Sequence, residues 1–359
     1  MLYSIVTNFA ISGEIQDIKP FGKGLINSSF LVTTSNSSKY LLQKINHAIF
    51  TDVAGLSQNI ERVTNHIRSK LVANKVQNIE KKVLSIVYTS NNELHYADGE
   101  AYWRMFHFIE GSETYDKIET PQQAIATGKA FAEFQQLLSD LNTPPLNEVL
   151  KGFHNTPMRI DTFLETLKND VAHRQQSVQH EINFLLERKD EMKQIVEQGK
   201  KGELPLRVVH QDAKLNNILF DKQTNEILCV IDLDTTMPGY VCYDFGDAMR
   251  TGACTAKEDE MDLSKVDFDF EVFQNFAKGY MSVAKHFLTN NEIQSLAFGA
   301  KLLTYEQAVR FLNDYLQGDT YYKTEYPEHN LVRTRTQIKL LQKMELRYQE
   351  MQDFIFSFI

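Results

Sequence analysis

Hydrophobic and polar positions change their rhythm along this chain, and the change falls near residue 110. Before it, short runs of apolar and β-branched residues are separated by turn-forming ones. Residues 28–34 (SSFLVTT) and 39–45 (KYLLQKI) read as two strands joined by the turn SNSS. From residue 51 to about 73, Val53, Leu56, Ile60, Val63, Ile67 and Leu71 recur at three- and four-residue spacing, which predicts an amphipathic helix. Residues 82–88, 95–97 and 101–109 are the remaining expected strands, with Asn91-Asn92 and Asp98-Gly99 marking turns. The first hundred residues thus predict a mixed sheet with one helix.

After Gly111 the period becomes helical. Ile125, Phe131, Phe134, Leu138 and Leu141 form one stripe over residues 122–141. Further helices are predicted over about 160–199, 269–288, 291–316 and 329–353, around a β-like island at 207–234. The predicted class is α+β, with a sheet-rich part at 1–110 and a larger, mainly helical part at 111–359. No internal repeat or low-complexity segment interrupts this plan.

A length of 359 residues suits two domains of ordinary size, and 42% hydrophobic with 24% charged residues is the balance of a globular protein. The net charge of −9 disfavours nucleic acid and anionic membranes as partners. Three cysteines without metal-like spacing point to reduced thiols and a cytoplasmic setting. The first eleven residues carry no basic residue and do not resemble a secretory signal, and no run is long enough to cross a bilayer.

One segment carries most of the chemistry: VHQDAKLNNILFDKQTNEILCVIDLD, residues 209–234. It holds His210-x-Asp212, then Asn217 five residues beyond the aspartate, then an apolar β run that ends in Asp232. The His-x-Asp-x-x-x-x-Asn spacing is that of a kinase catalytic loop. Phosphoryl transfer needs in-line positioning and neutralisation of phosphate charge more than covalent help. Magnesium supplies the second, and it prefers oxygen donors such as the Asn217 amide and the Asp232 carboxylate. Asp212 suits the catalytic base that orients an acceptor hydroxyl and takes its proton. His210 is expected to brace the loop backbone.

The segment resembles the aminoglycoside phosphotransferase and choline kinase superfamily, which has a bilobal protein-kinase-like fold with a small antiparallel-sheet N-terminal lobe and a larger, mainly helical C-terminal lobe. The resemblance implies ATP as co-substrate with Mg2+, Asp212 as base, and Asn217 and Asp232 as metal ligands. It also implies that Asp244, in YDFGD, is a structural carboxylate bracing the catalytic loop. GKGLINSSF then becomes a nucleotide loop, with Gly22, Gly24 and Asn27 near the phosphates. A basic residue is expected on the strand that follows. Gln43 and Lys44 point to opposite faces; a phosphate calls for a cation, which selects Lys44, whereas the superfamily's alignment favours Gln43. Glu61 is the expected partner of Lys44. The run MFHFIEGS resembles the hinge that holds adenine, with Phe108 and Glu110 in it.

A closer resemblance is to N-acetylhexosamine 1-kinases. It rests on LLQKIN, NIERVT, GKAFAEFQQLL, GFHNTPMR, VIDLDTTMPGYVCYDFGDAMR, RFLNDYLQGDTYYK and EHNLVRTRTQ. It implies a small neutral sugar as partner, with His154, Asp247, Arg250, Arg310 and Tyr322 as expected contacts. Choline, homoserine or aminoglycoside phosphorylation on the same fold stays open, as does a nucleotide-binding scaffold without catalysis. Oligomeric state is open at this level.

Overall fold

The structure is a computed structural model that describes residues 2–22, 24, 26–141 and 145–359. Its larger elements, in chain order, are β1 (Ile15–Pro20), β2 (Ser28–Thr34), β3 (Lys39–Ile45), α1 (Val53–Ala73), β4 (Ile86–Val87), β5 (Tyr96–Ala97), β6 (Tyr102–His107) and β7 (Ser112–Glu113). There follow α2 (Pro121–Leu137), α3 (Thr156–Asn169), α4 (Gln179–Arg188), β8 (Arg207–Val209), β9 (Ile218–Asp221) and β10 (Ile227–Val230). The chain closes with α5 (Val241–Gly252), α6 (Phe270–Ala284), α7 (Asn290–Leu316), α8 (His329–Leu346) and α9 (Tyr348–Phe356).

Two compact units share these elements, and both are discontinuous in sequence. One takes Met1–Thr114, Leu137–Lys151 and Ile218–Pro238; the other takes Tyr115–Gln136, Gly152–Asn217 and Gly239–Ile359.

The first unit is built on a sheet of order β1-β2-β3-β6-β4, with β5 also on β6. Every pairing in it is antiparallel, as the resemblance to the protein-kinase-like fold implied, and none is parallel as a mixed sheet would require. β2, β3 and the long helix α1 fall where the hydrophobic pattern puts them. β1 went unforeseen because IQDIKP is half exposed and does not alternate. The strand expected over 82–88 shrinks to Ile86–Val87, since Ile79–Lys82 turns as a short helix. Across β3 and β6, Gln43 pairs with Arg104 and Lys44 with Trp103. Because side chains alternate along a strand, Tyr40, Leu42, Trp103 and Met105 share one face and form its core with Val6, Phe9 and Val32. Gln43 and Arg104 share the other face. A small antiparallel sheet, β10-β9-β7, completes this unit and leads into Asp232.

The second unit is helical around α7, whose 27 residues are buried on nearly all sides. A capping box starts it: Thr289 caps the Glu292 amide while Glu292 reaches back to the Thr289 amide. Its core joins Ile160, Phe163, Leu185, Tyr305, Leu312 and Leu341. α5 crosses α7 where Gly246 faces the Gly299 carbonyl, at a separation no Cβ could enter. The helix expected over 160–199 is broken after Asn169 by Asp170 and His173, both at positive φ. The one expected over 329–353 divides at Arg347. Among the described residues no helix is long and apolar enough to cross a membrane.

Candidate active site

In the second unit, β8 delivers the chain into His210, and Gln211 turns it with φ of 64°. Such a turn in a residue other than glycine needs external support. Asp244, in the first turn of α5 and fully buried, gives it. Its carboxylate accepts the His210 amide at 2.9 Å, the Gln211 amide at 2.7 Å and Gln135 Nε2 at 2.8 Å. Burial pushes the Asp244 carboxyl above its usual range, with His210 and the two amides opposing. The His210 ring stands edge-on to Phe131 and Phe134, and its Nδ1 accepts the Asp212 amide at 3.2 Å. Both residues thus bond to the loop backbone.

Asp212 keeps 29% of its side chain exposed. Lys214 Nζ lies 2.5 Å from one oxygen, and Asn217 Nδ2 donates to the other at 3.1 Å and to the Asp212 carbonyl at 2.8 Å. Burial raises the carboxyl, but Lys214 beside it outweighs that and holds it below the ordinary carboxylate range. Lys214 escaped the sequence reading, although it stands two residues after the aspartate. The Asn217 amide nitrogen is committed to Asp212, and an amide oxygen is a donor type that a hard cation accepts. Among the described residues no group of three His, Cys, Asp or Glu could cage a metal. Oxygen donors in ones and twos fit magnesium, which keeps water and phosphate in its shell.

In the first unit, β10 leads through Ile231 to Asp232, which also lies at positive φ, 58°, before the turn Leu233–Thr235. Asp234 in that turn is buried. Arg104 Nη1 approaches its Oδ1 at 2.5 Å, and Asn27 Nδ2 donates to its Oδ2 at 2.7 Å. Arg104 Nε donates to Gln43 Oε1 at 2.9 Å, Gln43 Nε2 to Ser29 Oγ at 3.1 Å, and the Asn46 amide to Asn27 Oδ1 at 2.9 Å. A relay of polar groups therefore joins the glycine loop, β3, β6 and the Asp232 turn.

Lys44 takes no part in it, which corrects the expectation placed on it. It is exposed on the opposite face, its ammonium 5.9 Å from the Trp103 ring centre. Nor does Glu61 reach Lys44; it accepts the Tyr88 hydroxyl at 2.8 Å. The physical reason is the period-2 alternation of β3, which turns neighbouring side chains apart. Of the loop, Gly22 has φ of 77°, Gly24 is exposed, and Lys23 and Leu25 lie outside the described residues. Phe108 meets Phe21 edge-to-face at 5.2 Å, and its amide donates to the Lys39 carbonyl. Glu110 pairs with Lys39 at the surface.

The remaining expected residues gather in the second unit beside the catalytic loop. His154 Nδ1 meets Glu306 Oε1 at 2.7 Å, and its Nε2 meets the Gln211 carbonyl at 3.1 Å. Thr156 donates to the other Glu306 oxygen. Arg310 lies over the rings of Phe153 and Tyr322 at 5.4 and 5.7 Å. Asp314 fixes Tyr322 by accepting the amides of Thr320, Tyr321 and Tyr322. On α5, Arg250 grips one oxygen of Asp247 through Nε and Nη2, and donates to Glu258 through Nη1. The second Asp247 oxygen is buried without a hydrogen-bond partner. The charges of Asp247 and Arg250 are felt at Lys214, and that of Arg310 at Glu306, so the cluster is electrically continuous with the loop.

The family model described as APH, phosphotransferase enzyme family, matches residues 17–279. Among solved structures, an amicoumacin kinase in complex with AMP-PNP and Ca2+ is similar at 15% identity and a TM-score of 0.59, over 98% of this chain and 92% of that one. An aminoglycoside phosphotransferase from Alicyclobacillus acidocaldarius is similar at 14% identity and a TM-score of 0.57, over 99% and 94%. A choline kinase from Cryptosporidium parvum is similar at 15% identity and a TM-score of 0.54, over 95% and 93%. At these identities the likeness is one of fold, and the fold is protein-kinase-like.

Proposed function

The chain belongs to the APH phosphotransferase enzyme family, and from that premise we propose that it transfers the terminal phosphate of ATP to the anomeric hydroxyl of an N-acetylhexosamine. That it is an ATP-dependent phosphotransferase acting on a hydroxyl follows from the family. The sugar rests on a separate observation, the charge balance beside Asp212. There Lys214, Arg250, Arg310 and Arg159 face Asp212, Asp247, Glu258 and Glu306. An acceptor bearing ammonium groups calls for surplus carboxylate and an open aromatic face. A surface in which cations match carboxylates, with donors and an unsatisfied Asp247 oxygen, suits a neutral molecule rich in hydroxyls and amides.

In this reading Asp212 takes the proton of the anomeric hydroxyl, whose acidity exceeds that of an ordinary alcohol, so a carboxylate held in its ionised form suffices. Lys214 keeps that carboxylate charged. Asn217 and Asp232 are the proposed oxygen ligands of magnesium, which when bound neutralises charge on the phosphates. Asp247 and Arg250, with His154, Arg310 and Tyr322, are the proposed sugar contacts. We place the reaction in the cytoplasm, a setting that the free thiols of Cys229, Cys242 and Cys254 support.

The test is a panel of N-acetylglucosamine, N-acetylgalactosamine, glucose, choline, homoserine and kanamycin, each with ATP and magnesium, followed by ADP release and product analysis. Turnover is expected with the two N-acetylated sugars, with phosphate on the anomeric carbon. Turnover confined to the amines would remove the sugar assignment and leave the phosphotransferase standing.

A further inference from the structure

We propose that Arg104, on β6, is the side chain that meets the nucleotide's phosphates, in the role a lysine on the preceding paired strand would otherwise fill; the inference rests on the phosphotransferase reading above. Three observations carry it. First, β3 places no cation opposite Arg104: Gln43 stands there, Lys44 points away, and Lys39, on the Gln43 face but four residues along the strand, is paired with Glu110. Second, Arg104 stands directly across the strand pair from Gln43 and is bonded to it, so its guanidinium occupies the space next to the amide. Third, Arg104 and Asp234 both keep about 5% of their side chains exposed, two residues from the Asp232 turn.

An ion pair this deep brings little net stability, because desolvation offsets most of the attraction. It therefore asks for another account. The approach of Nη1 to Asp234 Oδ1 is close but poorly aligned, and neither atom has a hydrogen-bond partner. The pair balances charge while leaving a donor direction unused. A guanidinium also suits the task by shape. Its planar fork can hold Gln43 through Nε and present its remaining N–H groups to phosphate oxygens, which a lysine ammonium cannot do from one position. Asp234, held by Asn27 of the glycine loop, then acts as the resting partner from which Arg104 turns to the phosphates.

Calorimetric titration of Mg-ADP, with adenosine as the phosphate-free probe, tests this in wild type, Arg104→Met, Arg104→Lys and the double variant Gln43→Lys/Arg104→Met. Arg104→Met is expected to weaken Mg-ADP by about tenfold or more while leaving adenosine unchanged. Lysine at position 43 is expected to restore part of that loss. Unchanged Mg-ADP affinity, or equal losses for Mg-ADP and adenosine, would overturn the proposal, the second by reducing Arg104 to a structural prop. If Arg104→Met fails to fold, Arg104→Lys carries the same comparison: a loss confined to Mg-ADP supports the role, and an equal loss for both probes overturns it. Wild type that binds no Mg-ADP would instead sink the phosphotransferase reading itself, a result distinct from all of these.

Discussion

At the scale of single residues, the site depends on carboxylates given different surroundings for different tasks. Asp244 is enclosed and spends its oxygens on two backbone amides and Gln135. Asp212 stays partly open and is held charged by Lys214. The base role proposed for Asp212 needs access to substrate, whereas the bracing role proposed for Asp244 does not. Asp212→Asn keeps the shape and the bond to Asn217 but removes the proton acceptor. Its kcat is expected to fall by about 10²–10⁴-fold with nucleotide binding kept, as measured by single-turnover assay beside equilibrium titration. Near-native turnover would take Asp212 out of the mechanism. The His-x-Asp-x-x-x-x-Asn spacing made Asp212 and Asn217 readable from the chain alone. Arg104 was not readable, since in the sequence it is one cation within an apolar strand, and only the pairing of β6 with β3 gives it neighbours.

At the scale of elements, the two residues that matter on α5 take their positions from its crossing with α7. Asp244 and Asp247 face inward from a helix whose Gly246 lies against the Gly299 carbonyl, while Gly299 lies against the Cys242 carbonyl. A methyl group at position 246 would meet backbone rather than a yielding side chain. Gly246→Ala is therefore expected to destabilise by about 1–3 kcal/mol or more, the usual range for overpacking. It should also lower activity further than Glu258→Gln, because α5 would shift away from the His210 and Gln211 amides. Thermal unfolding with a parallel activity assay checks this, and an unchanged melting temperature would contradict it. Long amphipathic elements such as α1 were legible in the sequence. The break at Asp170 and His173 was not, because its turns are set by positive φ in residues that also occur within helices.

Over the whole molecule, the chain gathers oxygen donors and cations but no metal cage among the described residues. Magnesium would then arrive with the nucleotide rather than belong to the fold. A chelator in excess is expected to abolish ATP turnover, with recovery on adding magnesium. The melting curve without nucleotide should stay where it was, since nothing structural is lost. Turnover that survives chelation would rule out the metal-assisted reading, and a chelator-induced fall in melting temperature would point to a resident structural ion. The acidic net charge does not oppose an anionic co-substrate here, because local arginines and lysines set the field at the site.

The sequence by itself determined the His-x-Asp-x-x-x-x-Asn spacing, the strands β2 and β3, the long helix α1, and the α+β class. These depend on local periodicity and on residues close together in the chain, whose geometry the backbone transmits over a few peptide units. Tertiary structure decided which side of β3 joins Arg104 and the Asp234 turn. It brought His154 to Glu306 across 152 residues and Arg104 to Asp234 across 130, and it left Lys44 outside. Such contacts arise from strand register and helix crossing, where a shift of one residue reverses the face a side chain presents. The period of a sequence records that a face exists, and only packing decides what the face meets.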